Sequence, residues 1–225
     1  MIKTIRDLRH NFGPIRDQHD RPTCLAFAAS DAHAAVRSGW APLSVEYMYY
    51  HAQHLSGLSS SQGCYLPDVL EVLKTKGQPV EQNWPYQTNA SVSAAWTRPT
   101  DCGELYRRRG ELIENEVENL IASLESGIPM LVLLKVSMSF FAPGKNAVVD
   151  FTPTDPPNPE IRHAVVATAI GECDGTLHFL IRNSWGSRWG DGGHAWLTES
   201  YIRKAVFAYA ALKGEADGES TPRAA

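Results

Sequence analysis

The sequence lacks any apolar stretch long enough to cross a membrane and any excess of positive charge. None of its hydrophobic runs approaches the roughly 18 residues of a membrane span. Its 21 lysines and arginines face 25 aspartates and glutamates, for a net charge of −4. A chain without a basic excess is poorly suited to neutralise nucleic-acid phosphates or anionic lipid. We therefore expect neither nucleic acid nor a membrane among its partners.

The N-terminal segment also lacks the apolar core of a signal peptide. It reads MIKTIRDLRHNFGPIRDQHD and is charged throughout. The sequence thus predicts a protein that is cytoplasmic as synthesised. Such a protein would reach another cell only by a secretion route that needs no signal peptide.

Cysteine is scarce, and its positions show no metal-binding or redox spacing. The four residues are far apart, without a CxxC pair: Cys24, Cys64, Cys102 and Cys173. This pattern argues against a zinc ribbon and against a redox dithiol. Chemistry by a single thiol remains open, with no metal and no cofactor indicated.

Three helices are predicted in the first half of the chain, over residues 24–38, 44–55 and 67–76. Apolar residues recur there at near-helical spacing. Thr23 can cap the first helix with its hydroxyl group, Ser44 opens the second, and Gly77 can end the third.

The second half predicts strands, over residues 129–136, 163–171 and 177–185, after one more helix at 115–127. Helices followed by strands indicate an α+β protein with a helical lobe and a sheet-rich lobe. We assign residues 1–110 to the helical lobe and 111–212 to the sheet-rich lobe. The polar segment 213–225 is predicted to be a disordered tail.

Cys24 stands at the predicted start of the first helix, where it could act as a nucleophile. Unpaired N–H groups and the helix dipole favour an anion there and can lower a thiol pKa below about 8.5. The alternative is a buried structural residue, because free cysteine is among the most buried residue types. Position alone does not decide between the two.

Three further polar residues would supply what a thiol nucleophile needs. Gln18, six residues before Cys24, could donate an N–H to the oxyanion of a tetrahedral intermediate. His163 opens one predicted strand and Asn183 lies twenty residues later on the next, so neighbouring strands could join an imidazole to an amide. Each residue alone is unremarkable in its position, but the order Gln, Cys, His, Asn indicates a nucleophilic site.

At these residues the sequence resembles the papain/cathepsin family of cysteine peptidases. PIRDQHDRPTCLAFAAS is similar to the family's glutamine-to-cysteine segment, HAVVATAIG to its histidine strand and IRNSWGSRWGDGGHAWL to its asparagine block. The separation of 139 residues between Cys24 and His163 falls within the range of about 130–150 known for the family. The resemblance extends from about Asp7 to about Tyr201.

The resemblance implies a papain-like two-lobed α+β fold, with the active cleft between the helical lobe and a β-barrel-like lobe. It makes Cys24 the nucleophile and His163 the general base and acid. Asn183 would orient the imidazole, and Gln18 would form the oxyanion hole together with the Cys24 backbone N–H.

Three further residues are expected to border the bound substrate: Trp185, Gly63 and Arg162. By the resemblance, Trp185 also shields the hydrogen bond between His163 and Asn183. Arg162 precedes His163 where some relatives carry an acidic residue, and its charge would disfavour the protonated imidazole.

The sequence departs from the family around the nucleophile. Arg21 and Leu25 replace the structural cysteine and the aromatic residue of the family signature, so Cys64 lacks the partner of its counterpart. Cys102 is similarly unpaired. We therefore expect no intramolecular disulfide, or at most one between Cys64 and Cys102, in a protein kept in a reducing compartment.

The predicted function is hydrolysis of peptide bonds in a protein or peptide substrate through an acyl-thioester. The same residues would also serve a transamidase, a deamidase or a ligase, and a non-catalytic binding module is the third alternative. An active peptidase in the cytoplasm would need a narrow specificity or a separately encoded inhibitor. The inhibitor, or immunity protein, is expected if the chain is a toxin or effector domain.

Overall fold

The computed structural model describes residues 1–88 and 96–215, in which a helical lobe packs against one large sheet. The helical lobe contains α1 (Cys24–Ala35), α2 (Val45–Ser56) and α3 (Leu66–Thr75). These helices bury a shared apolar cluster that includes Phe27, Met48 and Val69. The three predicted helices are therefore confirmed, although α1 ends at Ala35 and not at Ser38.

Ser44 caps α2, whereas Thr23, which was predicted to cap α1, does not. The Ser44 hydroxyl accepts a hydrogen bond from the Tyr47 amide at 3.1 Å. The Thr23 hydroxyl is instead hydrogen-bonded to the Tyr86 hydroxyl at 2.9 Å. The backbone N–H groups of Cys24 and Leu25, at the start of α1, instead act on the Cys24 thiol, whose pKa they lower against the larger effect of burial.

Eight strands of the described residues form a single sheet, and three short helices flank it. The strands are β1 (Lys3–Asp7), β2 (Arg108–Ile113), β3 (Met130–Val136), β4 (Val148–Val149), β5 (Asn158–Cys173), β6 (Thr176–Arg182), β7 (His194–Thr198) and β8 (Val206–Glu215). The flanking helices are α4 (Val117–Glu125), α5 (Met138–Phe141) and α6 (Glu199–Ala205).

The sheet is open. Its strand order is β2-β8-β3-β5-β6-β7-β4, with β1 paired to the far half of β5. Its two outer strands, β2 and β4, are not joined to each other within the described residues. The α+β architecture is confirmed, and "barrel-like" describes the second lobe only loosely.

Strand β5 runs between the two apolar clusters and positions the residues of the cleft. Successive side chains of a strand point to opposite faces of the sheet. Ala164 and Val166 pack against the helical cluster, while Val165 lies in the core on the other face. His163 therefore shares the face of Val165, and Arg162 shares the face that meets the helical lobe.

The two lobes do not divide at a single point of the chain. β1 lies in the range predicted to be helical, yet it pairs antiparallel with β5, and β2 spans the predicted boundary at residue 110. Residues 213–215, predicted to be disordered, continue β8 because they pair with β2, where Arg108 donates to the Lys213 carbonyl at 3.0 Å. The rest of the predicted tail, residues 216–225, lies outside the described residues.

No helix of residues 1–88 and 96–215 is both long and apolar enough to span a membrane. In the same part of the chain, no three histidine, cysteine, aspartate or glutamate side chains come together as metal ligands.

Candidate active site

Cys24 is the first residue of α1 and faces the strand that carries His163. Its sulfur interacts with the backbone N–H of Ala164, the residue after His163 in β5. The Cys24 side chain is half-buried and its thiol is free, as are those of Cys64, Cys102 and Cys173. None of these four sulfurs is bridged to another in the structure, and the redox state of the chain stays a prediction.

His163 and Asn183 are brought together by the pairing of β5 with β6. The two side chains form a hydrogen bond of 2.7 Å between His163 Nε2 and Asn183 Oδ1. The same oxygen accepts a hydrogen bond of 2.8 Å from the backbone N–H of Ser184, so this atom of Asn183 is the carbonyl oxygen and an acceptor. His163 Nε2 must therefore carry the proton, so in the neutral ring Nδ1 is free to accept a proton.

An aromatic cluster covers the imidazole. The ring of Trp185 lies 4.5 Å from that of His163, and Phe140 approaches the imidazole edge-on at 5.9 Å. Phe141 stacks on Trp185 at 5.3 Å with nearly parallel planes. Together these rings cover the imidazole next to its hydrogen bond with Asn183, and both side chains are buried.

Burial shifts the pKa values of the two reacting groups away from their charged forms. It raises the pKa of the Cys24 thiol, against the opposing effect of the backbone N–H groups of Ala164, Leu25 and Cys24. It lowers the pKa of His163 to about 4, against the hydrogen bond that His163 donates to Asn183, which raises this pKa. The expectation that the helix start would lower the thiol pKa is therefore wrong, because desolvation is the larger effect.

We expect the resting protein to hold a neutral thiol and a neutral imidazole at neutral pH. The difference in absorbance at about 240 nm between the parent and Cys24→Ser should show no thiolate signal between about pH 5 and 8. Turnover should decline as the pH falls through the His163 pKa of about 4, because a protonated ring cannot accept the thiol proton. A thiolate signal at neutral pH would instead show that the ion pair outweighs desolvation.

Gln18 joins the loop before Cys24 to the segment that follows β6. Its Oε1 accepts a hydrogen bond from the Ser184 hydroxyl at 2.8 Å, and its backbone N–H donates to the Ser184 carbonyl at 2.8 Å. One N–H of its Nε2 donates to the Arg21 carbonyl at 2.8 Å. The second N–H of Nε2 has no acceptor among the described residues, so it can serve an oxyanion next to Cys24.

Replacing Gln18 by alanine should lower kcat by about 10²–10³, with little change in KM, if its amide stabilises the oxyanion. Ser184→Ala removes only the group that orients the amide, so it should cost less than Gln18→Ala. Steady-state kinetics of the two variants on one peptide would measure the difference. A fall of less than about threefold for Gln18→Ala would assign the oxyanion to other donors.

A buried charge cluster holds the helix of the nucleophile against the strand of the asparagine. Asp31, two turns after Cys24 on α1, accepts hydrogen bonds from Arg16 at 2.9 Å and from Arg182 at 2.7 Å. Arg182 directly precedes Asn183. Burial would raise the pKa of Asp31, but the two guanidinium groups outweigh it and hold that pKa below its usual value. The cluster therefore fixes the distance between the two lobes at the active cleft.

A second buried ion pair lies where the family has its structural cysteine. The Arg21 side chain is 1% exposed and forms two hydrogen bonds with Glu46 of α2, at 2.6 and 2.9 Å. Its guanidinium also lies over the rings of Tyr49 and Tyr86, at 5.2 and 4.9 Å from their centroids. Arg21 and Glu46 thus tie the nucleophile loop to α2 without a disulfide.

The remaining residues expected to border the substrate lie in different places around the cleft. Gly63 is exposed, and a β-carbon built on it would come within 4.0 Å of the Pro22 carbonyl, close to the nucleophile loop. Arg162 is exposed and lies over the ring of Phe207 at 5.7 Å. Burial, and not the charge of Arg162, lowers the pKa of His163, and the hydrogen bond with Asn183 opposes that shift.

Several functional residues were not found from the sequence. Phe140 and Phe141 cover the imidazole from α5, and Asp31 links the lobes, yet nothing in their local sequence distinguishes them from core or surface residues. Ser184 and Arg182 stand next to Asn183 in the asparagine block, so their position was visible but their contacts were not.

Comparison with known proteins places this geometry in a family. The family described as "Papain family cysteine protease" matches residues 3–211. Cathepsin K of Gallus gallus is 27% identical over 194 residues, which cover 83% of this chain and 55% of that protein. Gamete and mating-type specific protein A of Dictyostelium discoideum is 28% identical over 202 residues, 87% of this chain and 42% of that protein. The chain spans about half the length of these curated relatives.

Solved structures show the same fold. Xylellain, a cysteine protease from Xylella fastidiosa, superposes with a TM-score of 0.79 at 24% identity, covering 95% of this chain and 87% of that chain. The bromelain protease from Ananas comosus, in complex with the inhibitor E64, gives 0.71 at 19% identity, covering 92% of this chain and 97% of that one. At such identities the likeness concerns the fold alone.

Proposed function

The chain belongs to the papain family of cysteine proteases, and on this premise we propose that it hydrolyses peptide bonds with Cys24 as the nucleophile. One observation carries the proposal. The 2.7 Å hydrogen bond from His163 Nε2 to Asn183 Oδ1 leaves Nδ1 as a proton acceptor on the strand that faces a free thiol. Burial disfavours the charged forms of both groups.

In the first half of the reaction, His163 Nδ1 takes the proton of Cys24 as the sulfur attacks the carbonyl carbon of the peptide bond. The oxyanion then accepts hydrogen bonds from Gln18 Nε2 and from the backbone N–H of Cys24. The carbon–nitrogen bond breaks as the imidazolium gives its proton to the leaving amine. The product is an acyl-thioester on Cys24.

In the second half, water replaces the amine. His163 takes a proton from the water molecule as its oxygen attacks the thioester carbonyl, and the same oxyanion donors hold the intermediate. The carbon–sulfur bond breaks, the carboxylic acid leaves and His163 returns the proton to the Cys24 sulfur. Each proton moves through Nδ1, while Asn183 holds the other side of the ring.

The substrate in this proposal is a protein or peptide. The test is incubation of a defined peptide library with the parent and with Cys24→Ala, in the presence of an added amine, followed by mass analysis of the products. Hydrolysis predicts free carboxylic acids that form only with the parent. Transfer of the acyl group to the amine would indicate a transamidase or ligase. Loss of amide nitrogen from glutamine side chains would indicate a deamidase, and unchanged peptides would indicate a binding module.

We also propose that the protein works in a reducing compartment such as the cytoplasm. Its four free thiols support this, together with the Arg21–Glu46 pair in the place of a disulfide cysteine. Control would come from a narrow specificity, or from a separately encoded inhibitor if the chain is a toxin or effector protease.

Expression of the parent and of Cys24→Ala in a foreign cytosol distinguishes these controls. Growth arrest that depends on Cys24 supports an inhibitor-controlled effector, and selective cleavage without harm supports narrow specificity. Broad proteolysis without any effect on growth contradicts both.

A further inference from the structure

The face of the sheet that packs against the helical lobe continues past that lobe, next to Cys24. On each of three adjacent strands, one residue of this face is buried against the helices: Leu131 on β3, Val166 on β5 and Ala210 on β8. Two positions further along, Leu133 and Ala208 are only half-buried, and they pack against the same cluster as Cys24. These residues form an apolar floor of the cleft beside the nucleophile.

Two cations continue this face beyond the apolar floor. Lys135 is two residues after Leu133 on β3, so its side chain is on the same face of the sheet. Arg162 is two residues before Ala164 on β5 and shares that face for the same reason. Lys135 and Arg162 are directly opposite each other in the register of the two strands. Opposed residues of antiparallel strands have β-carbons about 4.5–5.5 Å apart, so two positive charges lie side by side.

No acidic side chain in the described ranges 1–88 and 96–215 forms an ion pair with either cation. Arg162 lies over the ring of Phe207 at 5.7 Å, a contact that does not neutralise its charge. Glu160, on the same strand, is exposed, and its contact is local, through its amide to Asn158. Like charges directly opposite one another destabilise a sheet, so an anion placed between Lys135 and Arg162 would relieve their repulsion.

We propose that Lys135 and Arg162 select substrates with an acidic side chain close to the scissile bond. The methylene groups of a glutamate can lie on Leu133 and Ala208 while its carboxylate reaches the two cations. Low-dielectric walls strengthen such a charge pair relative to open solvent. The inference rests on the proposed peptidase activity and adds a substrate class to it.

Matched peptides that carry Glu, Gln or Lys at one position at a time on either side of the cleaved bond provide the test. At one position, kcat/KM for Glu should exceed that for the isosteric Gln by roughly tenfold, and Lys should be worst. The preference should weaken at high salt, because the pairs are only partly shielded from solvent.

Lys135→Glu and Arg162→Glu should each reduce the Glu-to-Gln ratio, and the double variant should prefer Lys. Lys74→Glu, on the exposed side of α3, makes the same change in net charge away from the cleft and should keep the parent ratio. The ratio, and not the absolute rate, is the readout, since Arg162 adjoins His163.

Cleavage with no preference for Glu, or with a preference that survives both substitutions, overturns this inference and leaves the proposed activity intact. Absence of cleavage of every peptide would overturn the proposed activity and this inference together.

Discussion

Replacing Cys24 by alanine or serine should abolish peptide hydrolysis, by roughly 10⁴-fold or more, while the protein remains folded. The thiol forms the covalent bond to the acyl group, and the described residues offer no second thiol beside His163 with the same N–H contacts. Steady-state rates on one cleaved peptide, with circular dichroism of each variant, would measure the loss. His163→Ala should be about as severe, and Asn183→Ala milder because its amide only orients the ring.

Cys173→Ser is the matched control for this experiment. Cys173 is also a half-buried free thiol, but it is the last residue of β5, ten residues after His163 on that strand. Its replacement should leave the rate within about twofold of the parent. Residual turnover of Cys24→Ala within tenfold of the parent would remove Cys24 from the nucleophile role.

Breaking the buried pair of Arg21 and Glu46 should cost about 3–5 kcal/mol in the free energy of unfolding. Glu46→Gln leaves the guanidinium of Arg21 buried with its charge uncompensated, and both side chains are at most 1% exposed. Removing the negative charge of Glu46 also weakens the hydrogen bonds that its side chain accepts from the backbone N–H of Gln87 and from the Trp96 indole, at 3.0 and 2.7 Å. Urea unfolding of the parent and of Glu46→Gln at neutral pH measures this difference in the free energy of unfolding.

Glu118→Gln is the control with the same chemical change at the surface. Glu118 pairs with Arg203 at 2.8 Å, but both side chains are largely exposed. Loss of this ion pair should therefore lower the free energy of unfolding by at most about 1 kcal/mol. The double replacement Arg21→Met with Glu46→Leu should recover most of the stability, because no buried charge remains. Equal effects of Glu46→Gln and Glu118→Gln would contradict the buried pair.

The candidate site could be predicted where the chemistry requires particular residue types at particular spacings. Gln18 and Cys24 are close in sequence, so their relation to one another depends on a single loop. His163 stands on β5 and Asn183 directly follows β6, and the antiparallel pairing of these two consecutive strands is a local event. These four residues could be named without coordinates for that reason.

The electrostatic state of the site could not be predicted in this way. The helix start at Cys24 predicted a lowered thiol pKa, whereas the thiol pKa is raised by burial. Burial depends on Ala164 and on the helical cluster, which reach Cys24 from distant parts of the chain. The paired arginines that hold Asp31, and the aromatic cover of His163, are likewise contacts between elements far apart in sequence.

By itself the sequence determined the α+β class and the three helices of the first lobe, and it predicted the four residues of the candidate site, since periodicity and residue types at given spacings are readable in short segments. Only the tertiary structure decided that the sheet is open, that β1 and residues 213–215 belong to it, and that Lys135 and Arg162 lie side by side. The reason is physical. Strand pairing and desolvation depend on which distant segments meet, and neither is encoded by a local pattern.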